Sequence, residues 1–110
     1  MQVSLTTTGR KTGKPHEVTI YAWPDGDRLV VVGSYAGSRK DPDWVANLRG
    51  TPLATVRRRG EDIRYRVEEV EGPERERLWN LVTDAFPHYE TYQGRTERLI
   101  PLFLLEPVAG

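Results

Sequence analysis

The stretch Gly9–Lys14 has the composition of an anion-binding turn. It reads Gly-Arg-Lys-Thr-Gly-Lys, with three cations, one hydroxyl and two glycines. Glycines let the backbone turn tightly and bring its amides close to an anion, and the cations supply the opposite charge. The stretch is not the phosphate loop of nucleotidases, because its glycine spacing differs and Pro15 stands where that motif requires Ser or Thr. A phosphate-binding turn and a solvated basic turn both remain open.

The stretch 32–47 combines a predicted strand end with the start of a helix. Gly33 and Ser34 follow an apolar run, and their small size leaves space for a flat ring. Backbone amides of the loop and of the helix start can bind a ring carbonyl or a phosphate. Trp44 fits two roles at this point, stacking on such a ring or packing in the core.

Three aromatic residues form the third candidate stretch. Phe86, Tyr89 and Tyr92 recur at three-residue spacing, which places them on one side of a helical turn. Phenol groups can donate hydrogen bonds to a substrate oxygen that gains charge during a reaction. Ordinary packing against the rest of the domain explains the same spacing.

Other chemistries find no support in the sequence. There is no cysteine, and the two histidines, His16 and His88, are far apart. No group of carboxylates has metal-ligand spacing, so neither a metal site nor a Ser-His-Asp triad is predicted. The run 57–59 is Arg-Arg-Arg, but Asp and Glu occupy the hairpin partner strand. We interpret it as a salt-bridged hairpin, and we predict no nucleic-acid partner.

Length and charge suit one domain over residues 1–110. Residues 1–60 carry ten Lys or Arg and five Asp or Glu, whereas residues 61–110 carry six and eleven. The first half can therefore attract an anion, or the two halves can attract each other. No apolar run has the length of a membrane span and no signal peptide is evident, so we expect a cytoplasmic protein.

The periodicity of the apolar residues predicts the elements that position these stretches. Because hairpin turns join most neighbouring strands, we predict an α+β fold that is mainly β, a small barrel of about six antiparallel strands. Asp41 is expected to cap the first helix, with Pro42 at its first helical position. The predicted strands are 3–7, 16–23, 28–34, 53–59, 63–70 and 99–105, and the predicted helices are 42–50, 73–86 and one turn within 88–96.

Four segments in this order resemble the deazaflavin-dependent nitroreductase family, which uses coenzyme F-420. They are LTTTGRKTGKP at 5–15, DGDRLVVVGS at 25–34, DPDWVANLRGTP at 41–52 and FPHYETYQGRTERLIPLFLLEP at 86–107. The resemblance implies a split β-barrel related to pyridoxamine-phosphate oxidases. His16 stands where an arginine is common in that family.

The resemblance also implies a set of site residues. Ser34, Tyr89 and Tyr92 would contact the substrate as catalytic groups. The anionic tail of the cofactor would meet Arg10, Lys11, Thr12 and Lys14. Its tail and ring would be lined by His16, Glu17, Val18, Thr19, Ile20 and Tyr21. The ring and the helix start would involve Val32, Gly33, Ser34, Tyr35, Asp43, Trp44, Val45, Ala46, Asn47 and, closing the site, Tyr89.

The implied activity is hydride transfer from reduced coenzyme F-420 to an electron-poor acceptor such as a quinone, an enone or a nitroaromatic compound. Three alternatives remain open: the same barrel binding FMN, a non-catalytic carrier or sensor of deazaflavin, and a small barrel that binds nucleic acid. A homodimer formed through the sheet is a further expectation. Trp23, Trp79 and Phe103 suit either its contacts or the core.

Overall fold

The computed structural model describes residues 1–108, so the last two residues of the predicted domain lie outside the described part. The strands are β1 (Gln2–Thr8), β2 (Pro15–Asp25), β3 (Arg28–Val32), β4 (Leu53–Arg58), β5 (Glu61–Glu69) and β6 (Leu102–Pro107). The helices are α1 (Asp43–Gly50), α2 (Gly72–Ala85) and α3 (His88–Gly94). A short 3-10 turn, Tyr35–Gly37, follows β3.

The six strands form a closed barrel in the order β1-β2-β3-β6-β5-β4. Every neighbouring pair is antiparallel. Hairpin turns at Gly26 and at Arg59-Gly60 connect β2 to β3 and β4 to β5 with backbone φ angles in the left-handed region. The predicted barrel and both predicted hairpins are confirmed.

The core has two layers because β3 and β6 are buried on both faces. Val31 pairs with Phe103 and points into the barrel, whereas Val30 pairs with Leu104 and packs outside against α2 and α3. The three aromatic residues expected in either a dimer contact or the core belong to these layers. Phe103 is 1% exposed in the inner layer, and Trp23 and Trp79 pack on the outer one.

The predicted start of α1 is wrong. Pro42 has extended backbone angles and the helix begins at Asp43, with no side chain capping it. The Asp41 carboxylate instead accepts hydrogen bonds from Arg98 Nη1 at 2.8 Å and Arg49 Nη1 at 3.3 Å. Two charged donors bind a carboxylate more strongly than the neutral amides of a helix start do, so Asp41 is held away from the helix.

Two strand ends also differ from the prediction. β3 ends at Val32. The Gly33 amide still donates in register to the Pro101 carbonyl oxygen at 2.9 Å, but proline has no amide hydrogen to return a bond, so the ladder ends there. β6 begins only at Leu102, and Leu99 is 67% exposed. Pro101 has no amide hydrogen, so it cannot donate to the ladder, and the strand starts after it.

An ion-pair group fastens α2 to the β2–β3 hairpin. Asp25 accepts from Arg28 Nη2 at 2.7 Å and from Arg77 Nη2 at 2.9 Å, and Arg77 also pairs with Glu74. The hydrogen bonds from Arg77 hold the pKa of Asp25 below its ordinary value of 3.8.

Among residues 1–108, no helix has both the length and the apolar character needed to cross a membrane.

Candidate active site

A cavity of about 630 Å³ opens between β2, the segment after β3, the start of α1 and α3. Its volume is within the usual range for small-molecule sites. It is lined by Thr7, His16, Glu17, Val18, Thr19, Ile20, Tyr21, Val32, Ser34, Tyr35, Ala36, Pro42, Asp43, Trp44, Asn47, Phe86, Tyr89 and Tyr92.

The cavity brings together most of the residues singled out from the sequence. It adds Thr7, Ala36, Pro42 and Phe86. Ala36 and Pro42 lie within the candidate stretch 32–47 and Phe86 within the aromatic stretch, whereas Thr7 lies only in the segment 5–15 that carries the family resemblance. Thr7 had a signal that could have identified it: it continues the alternation of Val3 and Leu5 on β1 and faces inward, one residue from the end of the strand. The predicted site residues outside the lining are Arg10, Lys11, Thr12, Lys14, Gly33, Val45 and Ala46.

Gly33 lies behind the cavity wall. A Cβ atom at this position would lie 2.8 Å from Pro101 Cγ and 2.9 Å from Val45 Cγ2. Both distances are shorter than real side chains allow, so only glycine lets the end of β3 pack this closely between α1 and the approach to β6. Gly33 and Val45 therefore support the wall from behind.

Asn47 links three parts of the chain at the floor of the cavity. It is 3% exposed, and its Nδ2 donates to Thr7 Oγ1 at 3.1 Å. Its Oδ1 accepts from the backbone amide of Arg10 at 3.2 Å and from Arg10 Nη1 at 3.0 Å. Arg10 Nη2 also lies 3.6 Å from Asp43 Oδ1. Asn47 and Arg10 thus fasten the Gly9–Lys14 turn to α1.

The turn is closed by its own backbone. The Gly9 amide donates to the Lys14 carbonyl oxygen at 2.8 Å, and the Gly13 amide donates to the Gly9 carbonyl oxygen at 2.8 Å. A Cβ on Gly9 would lie 2.5 Å from His16 Nε2, so the imidazole ring packs directly over this glycine. Within residues 1–108, Lys11 and Lys14 form no ion pair. Their charges remain available to an anion.

An aromatic group borders the other end of the cavity. The Trp23 ring stacks on Tyr21 at 6.0 Å and on Phe86 at 6.3 Å, and Tyr89 meets it edge-on. Trp23 Nε1 donates to Tyr89 Oη at 2.9 Å. Because the indole can only donate, Tyr89 accepts in this bond and keeps its own hydrogen free to donate elsewhere.

Tyr89 is 6% exposed, and burial raises the pKa of its hydroxyl above the ordinary value of 10.0. The group is therefore protonated at neutral pH and acts as a hydrogen-bond donor.

The cavity wall that follows β3 has an unusual backbone conformation. Tyr35, Ala36 and Gly37 have φ angles of 43°, 53° and 79°, three left-handed residues in succession. Among the described residues, the amides of Ser34 and Tyr35 donate to no acceptor. Opposite them, Trp44 is buried against Phe103 at 5.9 Å, which confirms its core role. It also lines the cavity, and its stacking on a cofactor ring stays a prediction.

Comparisons with known proteins identify the family of the chain. The family model described as F-420H(2)-dependent quinone reductase matches residues 1–107. A protein of that name from Mycobacterium tuberculosis is 32% identical over 104 residues, which cover 92% of this chain and 70% of the relative.

Two solved structures show the same architecture. An F-420-H2 dependent reductase is 36% identical with a TM-score of 0.87, over 96% of this chain and 93% of that chain. A structure from Listeria innocua named as a pyridoxamine 5'-phosphate oxidase is 19% identical with a TM-score of 0.64, over 98% and 84% of the two chains, and shows the fold alone. The split barrel and the resemblance inferred from four short segments are both confirmed. The chain belongs to the F-420H(2)-dependent quinone reductase family, oxidoreductases that use coenzyme F-420.

Proposed function

We propose that this chain transfers hydride from reduced coenzyme F-420 to a quinone in the cavity beside β2. The observation that carries the proposal is the order of groups along this strand. The free lysines lie next to its first residues, and the Tyr21–Trp23–Tyr89 aromatic group lies toward its end. From His16 to Tyr21 a strand extends by roughly 17 Å, which suits a long cofactor with a flat ring and an anionic tail.

The residues present fit this cofactor. Lys11 and Lys14 would hold the anionic tail, whereas Arg10 holds the turn through Asn47. Trp44 and the wall at Val32–Tyr35 would hold the ring, and the amides of Ser34 and Tyr35 would donate to a ring oxygen. When bound, the deazaflavin supplies the hydride, because carbon replaces the flavin nitrogen that permits one-electron steps.

The acceptor occupies the side of the cavity formed by α3. Tyr89 donates its free hydrogen to the quinone oxygen that gains negative charge, and Tyr92 and Ser34 line the same space. The Tyr92 and Phe86 rings give this side an apolar, flat surface suited to a quinone. The same surface admits an enone or a nitroaromatic compound. A homodimer and a cytoplasmic location stay predictions.

The direct test is anaerobic turnover of reduced coenzyme F-420 with a water-soluble benzoquinone, followed through the returning fluorescence of the oxidised cofactor. Parallel titrations compare coenzyme F-420 with FMN. We expect turnover that needs both protein and quinone, and tighter binding of coenzyme F-420. Binding without turnover would favour the carrier or sensor, and preferential FMN binding would favour the flavin alternative.

We expect the double replacement Lys11→Ala and Lys14→Ala to weaken binding of coenzyme F-420 by about tenfold, because each lysine loses a charge-assisted contact with the tail. Binding of a deazaflavin without a tail changes little. The matched control replaces Arg64 and Arg66, two cations on β5 without an ion pair in the described chain, with alanine. Equal weakening by both double variants would mean that net charge, and not this turn, attracts the cofactor.

A further inference from the structure

Arg98 makes an unusually complete set of contacts with the segment that follows β3. Its Nε donates to the Ser38 carbonyl oxygen at 2.7 Å. Nη1 donates to the Gly33 carbonyl oxygen at 3.0 Å and to Asp41 Oδ1 at 2.8 Å, and Nη2 donates to the Ser34 carbonyl oxygen at 2.6 Å. The side chain is 14% exposed, so these bonds form largely out of water.

Arg98 does not line the cavity itself. The segment it holds, however, supplies the cavity wall at Ser34, Tyr35 and Ala36 and leads into the start of α1. Any influence of Arg98 on a bound cofactor must therefore pass through the backbone of residues 33–41.

The backbone of the segment after β3 needs stabilising contacts from residues outside it. Tyr35 and Ala36 carry a Cβ atom in left-handed conformations, which are unfavourable for such residues. Local hydrogen bonds within the turn are few: Gly37 donates to the Ser34 carbonyl oxygen, and Ser38 donates to that of Tyr35. Without the guanidinium, three backbone carbonyls and the Asp41 carboxylate would lose a charged donor, and the segment could relax toward ordinary angles.

The backbone that carries Arg98 is itself held by Gln93 of α3. Gln93 Nε2 donates to the Arg98 carbonyl oxygen at 2.7 Å, and Gln93 Oε1 accepts from the Ile100 amide at 2.9 Å. The helix that fixes the Arg98 backbone also carries Tyr89 and Tyr92. Arg98 therefore connects the wall on the cofactor side with the helix on the acceptor side.

We propose that Arg98 is a positioning residue for the reductase site, which sets the wall at residues 33–41 against α3 and so fixes the spacing between cofactor ring and acceptor. This inference rests on the proposed function. A guanidinium suits the task because it directs several donors in one plane, which the single ammonium of lysine cannot do.

The test compares Arg98→Lys with Arg75→Lys. Arg75 is a matched control because its Nη2 also donates to a nearby backbone carbonyl, that of Ile100 at 2.7 Å, yet it holds no part of the cavity wall. We expect Arg98→Lys to weaken coenzyme F-420 binding and to lower kcat by about tenfold each, with a smaller change in the KM for quinone. Arg75→Lys keeps both values within about twofold, even if its Tm falls.

Two further measurements separate positioning from simple stability. Amide hydrogen exchange in residues 34–38 should become faster in Arg98→Lys and not in Arg75→Lys. In Arg98→Ala, added guanidinium ion at concentrations below those that unfold the protein should restore part of the lost affinity and kcat. If Arg98→Ala does not fold, the lysine variant alone decides.

Unchanged affinity and kcat in Arg98→Lys would overturn the proposal. Equal losses of affinity and kcat in both lysine variants, in proportion to the fall in their Tm, would overturn it too. If the unaltered protein does not oxidise reduced coenzyme F-420, the proposed function fails and the positioning role in that reaction fails with it. The exchange experiment then still shows separately whether Arg98 holds the segment.

Discussion

Tyr89→Phe is expected to lower kcat for quinone reduction by about a hundredfold, the usual cost of removing one donor from a charge-stabilising site. The phenylalanine ring keeps the packing with Trp23 and Phe86, so the cavity keeps its shape. The variant removes the hydrogen that we propose Tyr89 directs to the acceptor oxygen, and it also removes the acceptor of the bond from Trp23 Nε1. Binding of the cofactor and the KM for quinone should change much less than kcat, which steady-state kinetics with saturating coenzyme F-420 measure.

The control for this variant is Tyr65→Phe, which removes a phenol hydroxyl from the barrel core away from the cavity. It should retain nearly full kcat. Similar losses in both variants would show that the Tyr89 effect comes from packing and not from its hydroxyl.

The pH dependence of the unaltered enzyme follows from the same group. Burial disfavours the charged phenolate and raises the pKa of Tyr89 above 10.0, so the donor form persists through the neutral and mildly alkaline range. Tyr89 should therefore cause no loss of kcat as the pH rises from 7 to about 9. A loss within that interval that disappears in Tyr89→Phe would contradict this assignment.

Gly37→Ala should be the most damaging single-methyl change near the site. Gly37 has a φ angle of 79°, and a Cβ there would lie 2.7 Å from the Tyr92 carbonyl oxygen and 3.0 Å from Arg95 Cβ. Backbone strain and a clash with α3 therefore add. We expect the free energy of unfolding to fall by about 3 kcal/mol, together with weaker coenzyme F-420 binding, because the wall must move away from α3.

Gly60→Ala provides the matched control for Gly37→Ala. Gly60 has a φ angle of 76°, but a Cβ there would meet nothing within 4 Å. Its replacement should cost only the strain of a left-handed alanine, about 1 kcal/mol, and should leave cofactor binding unchanged. Denaturant unfolding of both variants measures the difference. Equal destabilisation would mean that α3 yields to the added methyl group.

The barrel and the cavity wall followed from local patterns in the sequence. Alternating apolar positions in β1 and the glycine-containing turns at Gly26 and Gly60 specify hairpins, because side-chain direction and turn geometry are properties of neighbouring residues. The family segments then located most of the cavity lining, including Ser34 and Tyr89.

The contacts that hold the site together were not predictable in the same way. Arg98 reaches back across 57 residues to Asp41, and Arg10 reaches 37 residues forward to Asn47. A charged side chain in a sequence does not indicate which distant backbone it will face. The capping role expected of Asp41 failed because Arg98, 57 residues away, and Arg49, in the last turn of α1, bind its carboxylate more strongly than the helix amides do.

The order of the strands also affects how the protein is made. β6 is the last of the six strands to be synthesised, yet it lies between β3 and β5. Until β6 leaves the ribosome, both neighbours expose unpaired backbone groups that can pair with other chains. The nascent protein therefore passes through a stage with two open sheet edges, during which it is exposed to aggregation. A chain cut before Leu102 would remain in that stage permanently.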